Sequence, residues 1–494
     1  MRAEAAVAGS LPPVLAAGLV FVASGAVLVL EILSVRLLAP YVGLTLETTT
    51  SIIGAVLAGI AVGARLGGWT ADRVNPYRLV VGLLIGGGLL VLLTVPIIRA
   101  LGPSASEGGN AAAVGVTFAA LVPVAAVLSA VTPTVARLQL RDLRASGTIV
   151  GRLSAWATAG ALVGTFGTGF VLVPLLPVSI SVLAIGIVLV LTGVLLGVYT
   201  RTLGPGRIAG AALAMIALTL LTLAQYSPCD GETTYHCAQI EVDRERPTAE
   251  LLLLDRGYNS EIDLNDPSFL GFGYEHWIGD TIAAIGTPRT PLDAVFVGGG
   301  AFTLPRWLEA TRPGSRSNVL EVDSKLVEFD RRRFGLRTSR DLRATIGDAR
   351  LTLRDEPSAS ADVIVGDAFS SRTVPWQLMT TEWLHDVRRV LRPDGVYALN
   401  MIDYPPLSLL RAEAATLLAT FANLRMITVA GKDGRPAGGN AVLLAADGPL
   451  PPERGPAADG ASTYDRAAVV HLVAGAEALR DDYAPVDQLE TRPG

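Results

Sequence analysis

The chain has 494 residues, of which 50% are hydrophobic and 17% are charged, and its formal net charge is −5 at pH 7. This length is too great for one ordinary domain, and the charged fraction is below the quarter that is usual in soluble proteins. The sequence contains no basic cluster with interleaved aromatic residues, which argues against a nucleic-acid partner. Charged residues are scarce before about Gln225 and reach the density of a soluble domain after Glu241.

Seven apolar segments fill the first half of the chain, and each approaches the ~20 residues that a helix needs to span a bilayer. They lie at 14–38, 49–69, 79–99, 112–136, 150–173, 178–199 and 207–226. The first segment is too long for a cleavable signal peptide and has no small-residue cleavage site after it. Buried helices of a soluble protein are hard to reconcile with so many segments in a row. We therefore predict a multi-pass helical bundle of the cell membrane over residues 1–227.

Arginine residues in alternate loops predict the orientation of this bundle, because cytoplasmic loops are enriched in Lys and Arg. The loops after the second, fourth and sixth segments, with their flanks, hold Arg65, Arg73, Arg78, Arg137, Arg141, Arg144, Arg152, Arg201 and Arg207. The other loops offer only Arg36 and Arg99, at segment ends. The N-terminus is then inside, and an odd number of spans places the residues after Tyr226 on the extracytoplasmic side. An eighth span would reverse this prediction.

The two cysteines, Cys229 and Cys237, lie in SPCDGETTYHC just after the last apolar segment. A disulfide that closes this small loop fits an oxidising compartment. The alternative is two unrelated thiols. With His236 they are too few ligands for a closed zinc site, and we predict no metal.

Polar and small residues within the apolar segments allow two interpretations of the bundle. Glu31 lies inside the first segment, where an ionisable side chain is costly and indicates a function or a buried pairing. Glycines at four-residue spacing favour close helix packing, and they are Gly59, Gly63, Gly67, Gly160 and Gly164. The loop GGWTADRV at 67–74 resembles a loop of major facilitator transporters, so transport is the alternative role for this half.

The second half changes from a short β-rich region to an alternation of strands and helices. Strands are predicted in HCAQIEV, AELLLLD and YNSEIDL, which gives a small β-region over residues 228–265. Strands and helices then alternate over residues 266–450, which predicts a doubly wound, Rossmann-like α/β domain with a mostly parallel sheet. The Pro/Gly-rich tail, residues 451–494, contains one possible helix at Tyr464–Leu479. Ligands of such sheets bind at the carboxyl ends of the strands.

Three consecutive glycines, Gly298 to Gly300, follow the first strand of this alternation in AVFVGGGAFTLP. A dinucleotide fingerprint needs a third glycine where Thr303 stands, and a phosphate loop needs Gly-Lys-Ser/Thr, which is absent. The loop better suits a nucleoside with a small tail, such as S-adenosylmethionine. A tight strand-to-helix turn is the simpler alternative.

Three acidic residues end the next three strands. Glu321 in VLEVD is placed to accept hydrogen bonds from both ribose hydroxyls, and Asp348 in IGDAR can accept one from the adenine amino group. Asp367 in ADVIVGDAF would lie beside a reactive sulfonium, where it can stabilise the cation or take a proton from an attacking amine. Each acid could also be an exposed strand-end or helix-capping residue.

The motifs LLLLDRGYNSEIDL, GYEHWI, VFVGGGAFTLP, VLEVD, GDARLTL, ADVIVGDAF and VRRVLRPDGVYALN together resemble spermidine synthase, the polyamine aminopropyltransferase family. The resemblance covers roughly residues 233–446, and the upstream half is similar to the membrane bundle that is fused to such domains in bacteria. It implies a methyltransferase-type fold, decarboxylated S-adenosylmethionine as the aminopropyl donor and putrescine as the acceptor, with no tightly bound cofactor. It also implies roles for Glu321 at the ribose, for Asp348 with Ala349 at the adenine, for Asp367 as the base, for Pro375 as a pocket wall, and for Asn259 in place of a family glutamine.

This chain departs from the family pattern where the amine would bind. Ala301-Phe302 stands where the family has Asp-Gly, and Ser370 replaces a second acid after Asp367. The family's Tyr-His-Glu becomes Tyr274-Glu275-His276, so Tyr274, Glu275 and Ser370 are weak candidates for substrate contacts. Recognition of a diamine depends on carboxylates matched to ammonium groups, and their loss argues against tight putrescine binding.

Three functions follow from these residues. The first is a membrane-anchored, spermidine-synthase-like transferase acting on a small amine or polyamine. The second is a methyltransferase that uses S-adenosylmethionine and an unknown acceptor. The third is a non-catalytic or transport-coupled polyamine-binding membrane protein, and a homodimer is left open for all three.

Overall fold

A computed structural model describes residues 11–43, 46–107, 109–140, 146–369, 374–453 and 460–491. The chain divides into two compact units, Met1–Glu232 and Thr233–Gly494. Within the described residues, the first unit is helical apart from one two-residue strand at its end, and the second is built around two β-sheets.

Among its described residues, the first unit contains seven long apolar helices at the places where the sequence predicts spans. Seven helices are long and apolar enough to cross a membrane, from Pro13–Val42 to Pro205–Ala224. A helix pairs every backbone N–H and C=O within the segment, which hydrocarbon requires. The helices are α1 (Pro13–Val42), α2 (Leu46–Ala71), α3 (Pro76–Glu107), α4 (Gly109–Ser129), α5 (Val131–Gln139), α6 (Ser146–Gly167), α7 (Val173–Leu175), α8 (Val178–Tyr199) and α9 (Pro205–Ala224), with a π-helical turn at Thr168–Leu172.

The glycines at four-residue spacing pack helices of this unit against each other. A Cβ on Gly59 would lie 2.9 Å from the carbonyl oxygen of Val122 on α4, and one on Gly63 would overlap the backbone of Ala126. A Cβ on Gly164 of α6 would lie 2.6 Å from the carbonyl oxygen of Gly25 on α1. These close approaches confirm the packing role that the spacing predicts.

The second unit follows the predicted order of strands and helices. Its strands, with the short strand that precedes them, are β1 (Gly231–Glu232), β2 (Cys237–Val242), β3 (Ala249–Leu254), β4 (Gly257–Asp263), β5 (Asp293–Val297), β6 (Arg316–Glu321), β7 (Leu342–Ile346), β8 (Ala361–Gly366), β9 (Leu391–Asp403), β10 (Asn423–Ala430), β11 (Pro436–Ala446) and β12 (Ala461–Tyr464). Its helices are α10 (Gly273–Ala283), α11 (Thr303–Thr311), α12 (Ser324–Arg333), α13 (Ala349–Thr352), α14 (Thr381–Val390), α15 (Ser408–Thr420), α16 (Arg466–Leu472) and α17 (Val486–Leu489). Strands β2, β3 and β4 pair antiparallel as the predicted small β-region. The two cysteines are disulfide-bonded, as the sequence predicts.

The large sheet has eight strands in the order β12-β10-β11-β9-β8-β5-β6-β7. The five strands from β7 to β9 are parallel, whereas β11, β10 and β12 add antiparallel pairs. Alternate residues of a strand face opposite sides, and β5 shows this: Val295 and Val297 join one apolar cluster, while Ala294 and Phe296 join another. Both faces of the sheet are therefore covered, as the doubly wound prediction requires.

The C-terminal residues differ from the predicted tail. Strand β12 pairs with β10 and extends the sheet. The helix expected at Tyr464–Leu479 is shorter and covers Arg466–Leu472. Asp465 Oδ1 accepts a hydrogen bond from Ala468 N at 2.8 Å, and this cap places the start of α16 after strand β12. Val469 and Leu479 are buried in the domain core. The tail therefore contributes a strand and buried side chains to the α/β unit, which its composition does not indicate.

Candidate functional site

The predicted site residues meet at one edge of the large sheet. Val297 of β5 lies opposite Leu320 of β6 and Gly366 of β8, so these parallel strands end at the same level. The glycine loop, Glu321, Asp348 and Asp367 all lie at or directly after these strand ends and that of β7. The structure therefore brings the glycine loop and the three predicted acids to the edge where ligands of such sheets bind.

The glycine loop requires glycine for two separate reasons. Gly298 and Gly300 have φ angles of +96° and +48°, in the left-handed region that most residues avoid. A Cβ on Gly298 would also lie 2.5 Å from the carbonyl oxygen of Asp367. The loop is therefore packed directly against the end of the strand that carries the predicted base.

Glu321 holds this loop in place. Its Oε2 accepts a hydrogen bond from Gly299 N at 2.7 Å, and its Oε1 accepts one from Asp323 N at 2.8 Å. The side chain is buried, and burial raises the pKa of Glu321. Each carboxylate oxygen has a further lone pair, so hydroxyl groups of a ribose can still donate to it.

Asp367 is half-buried, and two polar side chains donate hydrogen bonds to its carboxylate. Its Oδ2 accepts a hydrogen bond from Tyr274 Oη at 3.1 Å, and its Oδ1 accepts one from Asn400 Nδ2 at 2.9 Å. Asn440 Nδ2 donates in turn to Asn400 Oδ1 at 3.0 Å and so fixes the orientation of that amide. Burial raises the pKa of Asp367 to about 6, against the lowering effect of the two donors. The group is therefore mostly ionised at neutral pH and close to the range that suits a general base.

Glu275 lies beside Asp367, on helix α10. It is buried, and its Oε2 accepts hydrogen bonds from Gly271 N and Phe272 N at 3.1 Å each. Burial raises the pKa of Glu275 to about 8, so its carboxyl is mostly protonated at neutral pH. His276, by contrast, is exposed. Of the two residues whose order differs from the family motif, Glu275 therefore faces the interior.

The predicted adenine side is assembled around a short helix. Asp348 is exposed and caps α13, with its Oδ1 accepting from Arg350 N at 2.8 Å, while Ala349 is buried. Arg350 Nη1 donates to the carbonyl oxygen of Gln377 at 3.1 Å. The turn that follows Pro375 therefore lies next to α13, as the predicted pocket wall requires.

Strand β4 of the small sheet contributes to the glycine loop. Ala301 N donates to Ser260 Oγ at 3.1 Å, and a Cβ on Gly300 would lie 2.6 Å from Asn259 Oδ1. Asn259, which stands where the family has glutamine, is thus brought to the loop.

The two residues that replace the family's Asp-Gly are both fully buried. Ala301 lies in an apolar cluster with Leu326 and Phe329. Phe302 has a φ of +60°, a conformation that is uncommon for a bulky residue and suits the glycine of the family pattern. The position of the family's aspartate is therefore occupied by apolar packing in this chain. Ser370 lies outside the described residues.

Sequence reasoning missed two amide side chains beside Asp367 and a set of contacts around Asp323. Asn400 and Asn440 belong to β9 and β11, and only the pairing of these strands brings them together. Asp323 accepts hydrogen bonds from Thr234 N at 3.1 Å and from Tyr235 N at 2.9 Å. A polar residue inside an apolar strand, as in GVYALNM, is the signal that could have identified Asn400.

Several of the known proteins similar to this chain are polyamine aminopropyltransferases. No family model matches this chain. The polyamine aminopropyltransferase of Vibrio vulnificus is 27% identical over 129 residues, which are 26% of this chain and 43% of that protein. Polyamine aminopropyltransferase 2 of Streptomyces coelicolor is 26% identical over 413 residues, which are 77% of this chain and 72% of that protein. A probable spermidine synthase of Corynebacterium glutamicum, a solved structure, is 25% identical with a TM-score of 0.48, and the match covers 55% of this chain and 100% of that one.

The extent of these alignments differs between relatives. The chain spans 43% of the length of the Vibrio protein and 43% of a Bifidobacterium longum protein described as a probable polyamine aminopropyl transferase. The Streptomyces alignment covers more residues than Thr233–Gly494 contains, so it extends into the helical unit. The similarity to polyamine aminopropyltransferases that the motifs indicate is confirmed. So is the predicted fold, seven long apolar helices followed by an α/β domain.

Proposed function

We propose that this chain is a membrane-anchored transferase that moves an aminopropyl group from decarboxylated S-adenosylmethionine to an amine. The observation that carries the proposal is the position of Asp367, a half-buried carboxylate held by Tyr274 and Asn400 against the glycine loop. The names of the relatives support a transferase. The seven apolar helices support the membrane anchor.

The donor would bind along the sheet edge from β7 to β8. Glu321 would accept hydrogen bonds from the ribose, and Asp348 with Ala349 would meet the adenine, with Pro375 on the opposite side. The left-handed glycines let the backbone approach the nucleoside closely. Asp367 would then lie near the sulfonium, where its negative charge stabilises the cation.

The reaction moves the aminopropyl group from sulfur to nitrogen. The lone pair of the acceptor amine attacks the methylene carbon that is attached to the sulfonium sulfur, and a C–N bond forms as the C–S bond breaks. The sulfur keeps the bonding electrons and leaves as the neutral thioether methylthioadenosine. Asp367 accepts the proton that the nitrogen loses, which requires its ionised form.

The acceptor side favours a second candidate reaction. The position where the family has an aspartate is Ala301, buried among apolar side chains, and it offers no charge to a distant ammonium group. Methyl transfer from S-adenosylmethionine to another acceptor uses the same nucleoside contacts without that charge. The two reactions differ in their products, methylthioadenosine and S-adenosylhomocysteine.

Substitution of the base tests the proposal. We expect Asp367→Asn to lower kcat for aminopropyl transfer by at least 100-fold, the scale of general-base catalysis, while methylthioadenosine still binds. The exposed Asp394→Asn is the matched control, with an unchanged rate. Product release by mass spectrometry and binding by calorimetry give the two readouts. An unchanged rate in Asp367→Asn would remove this residue from the mechanism.

A further inference from the structure

Arg350 joins three separate segments beside the predicted adenine contacts. It follows Ala349 in helix α13, and its side chain is 11% exposed. Its Nη1 donates to the carbonyl oxygen of Gln377 and to Thr380 Oγ1, both at 3.1 Å. Its Nη2 donates to Asp481 Oδ2 at 2.6 Å. The guanidinium therefore links α13 to the turn after Pro375 and to the C-terminal part of the chain.

Asp481 holds both sides of this junction. Its Oδ1 accepts a hydrogen bond from Thr380 Oγ1 at 2.6 Å, while its Oδ2 accepts from Arg350. Its backbone N donates to Glu382 Oε2 at 3.0 Å. A carboxylate that is bonded to a guanidinium and a hydroxyl at once fixes the direction of both donors.

The segment that carries Asp481 is itself firmly attached. The carbonyl oxygen of Leu479 accepts a hydrogen bond from Thr381 N at 3.0 Å, and Leu479 N donates to Thr416 Oγ1 at 2.8 Å. Leu479 is 2% exposed. We call the residues Leu479–Asp481 the C-terminal clasp, because they connect to α14 and α15 and reach Arg350 through one side chain.

We propose that Asp481 is a positioning residue for the nucleoside site. It acts through Arg350: with Nη2 held by the carboxylate, Nη1 is directed at the Gln377 carbonyl and Thr380. This contact sets the distance between Ala349 on one side of the pocket and Pro375 on the other. A pocket whose walls are fixed before binding loses less conformational entropy when the ligand enters. The inference rests on the proposed function, since it assigns a ligand to this pocket.

Calorimetry on the full-length chain with methylthioadenosine tests the effect on binding. We expect Asp481→Asn to raise the Kd about tenfold, which corresponds to about 1.4 kcal/mol. Asp482→Asn changes the neighbouring carboxylate, whose side chain is 80% exposed, and should leave the Kd within about twofold. Because Asp481 acts through Arg350, the double variant Arg350→Met/Asp481→Asn should bind no more weakly than Arg350→Met alone.

Trp376 supplies a readout that needs no ligand. It directly follows Pro375 in the same wall and is 48% exposed. The part of the acrylamide quenching that is due to Trp376 is the difference between a protein with Trp376 and the same protein with Trp376→Phe. We expect that contribution to rise in Asp481→Asn and to stay unchanged in Asp482→Asn.

Each outcome separates the inference from the proposed function. If the wild-type chain binds no methylthioadenosine while Trp376 becomes more accessible in Asp481→Asn, the proposed function fails and the clasp remains a structural support only. The positioning role is overturned if Asp481→Asn binds the ligand as tightly as the wild type. It is also overturned if Asp482→Asn weakens binding equally, or if the effects of the two single variants add in the double variant.

Discussion

Asp367, which is half-buried, and Glu275, which is fully buried, are neighbouring carboxyl groups with different pKa values. Burial raises both pKa values, to about 6 for Asp367 and to about 8 for Glu275. The hydrogen bonds from Tyr274 and Asn400 limit the rise in the pKa of Asp367. Glu275 accepts hydrogen bonds from the backbone N–H groups of Gly271 and Phe272, at the start of its own helix. At neutral pH Asp367 is therefore mostly ionised and Glu275 mostly neutral. Asp367 can then accept a proton without a second negative charge beside it.

The hydrogen bond from Tyr274 predicts a shift in the pH profile. In the proposed mechanism Asp367 acts in its ionised form, so activity should fall as the pH drops through about 6, the pKa of this group. Tyr274→Phe removes a donor that favours the ionised form, so the acidic limb of kcat/KM should move upward by about one pH unit. Tyr258→Phe changes an exposed tyrosine and serves as the control. If the acidic limb of the kcat/KM profile has the same midpoint in Tyr274→Phe as in the wild type, the proposed role of this hydrogen bond is contradicted.

At the scale of single elements, helix α10 carries both a contact to Asp367 and a buried carboxyl group that makes the stability of the domain depend on pH. Glu275 accepts hydrogen bonds at the start of this helix, while the preceding residue, Tyr274, contacts Asp367. The folded-state pKa of Glu275 is raised from 4.5 to about 8. The folded state therefore binds a proton that the unfolded state releases, and this contribution to stability is complete below about pH 4.5 and is lost as the pH rises through about 8.

Glu275→Gln tests this dependence. The amide oxygen of glutamine still accepts hydrogen bonds from the helix end, but the side chain cannot ionise. Between pH 5.5 and 8.5 the melting temperature of the wild type should fall by several degrees more than that of the variant, because the lost contribution is on the order of a few kcal/mol. The exposed Asp280→Asn in the same helix should behave as the wild type. Equal pH dependence in wild type and Glu275→Gln would show that Glu275 is ionised in the folded protein throughout this range.

The sequence predicts the site residues that directly follow a strand better than those that only the pairing of distant strands brings together. Glu321 and Asp367 each follow an apolar strand directly, so the strand order alone places them at one edge of the sheet. Asn400 and Asn440 are separated by 40 residues, and only antiparallel pairing of their strands brings them into contact. Asp481 was missed because a Pro/Gly-rich composition gives no sign that the tail returns to the core.

At the scale of the whole molecule, the chain combines a helical unit with an α/β unit, and the Streptomyces alignment extends across both. The arginine distribution predicts that the α/β unit lies outside the cytoplasm, and the Cys229–Cys237 disulfide fits an oxidising compartment. Adenosyl sulfonium compounds are made in the cytoplasm, so the side of the membrane decides how the donor reaches the site.

Reporter fusions after Gly494 test this orientation. We expect a periplasmic-type reporter such as alkaline phosphatase to be active and a cytoplasmic-type reporter to be inactive, because seven spans place the two ends of the bundle on opposite sides. A fusion within the loop after the second span, which should be cytoplasmic, provides the opposite control. Activity of only the cytoplasmic reporter after Gly494 would reverse the topology and place the site with its donor.

The release of the adenosyl product tests the central claim most directly. The purified full-length chain is incubated with a mixture of amines that includes putrescine, together with either decarboxylated S-adenosylmethionine or S-adenosylmethionine, and the products are identified by mass spectrometry. The account predicts that methylthioadenosine forms only with the decarboxylated donor, depends on added amine and is lost in Asp367→Asn. Formation of S-adenosylhomocysteine alone, or of neither product, would contradict it.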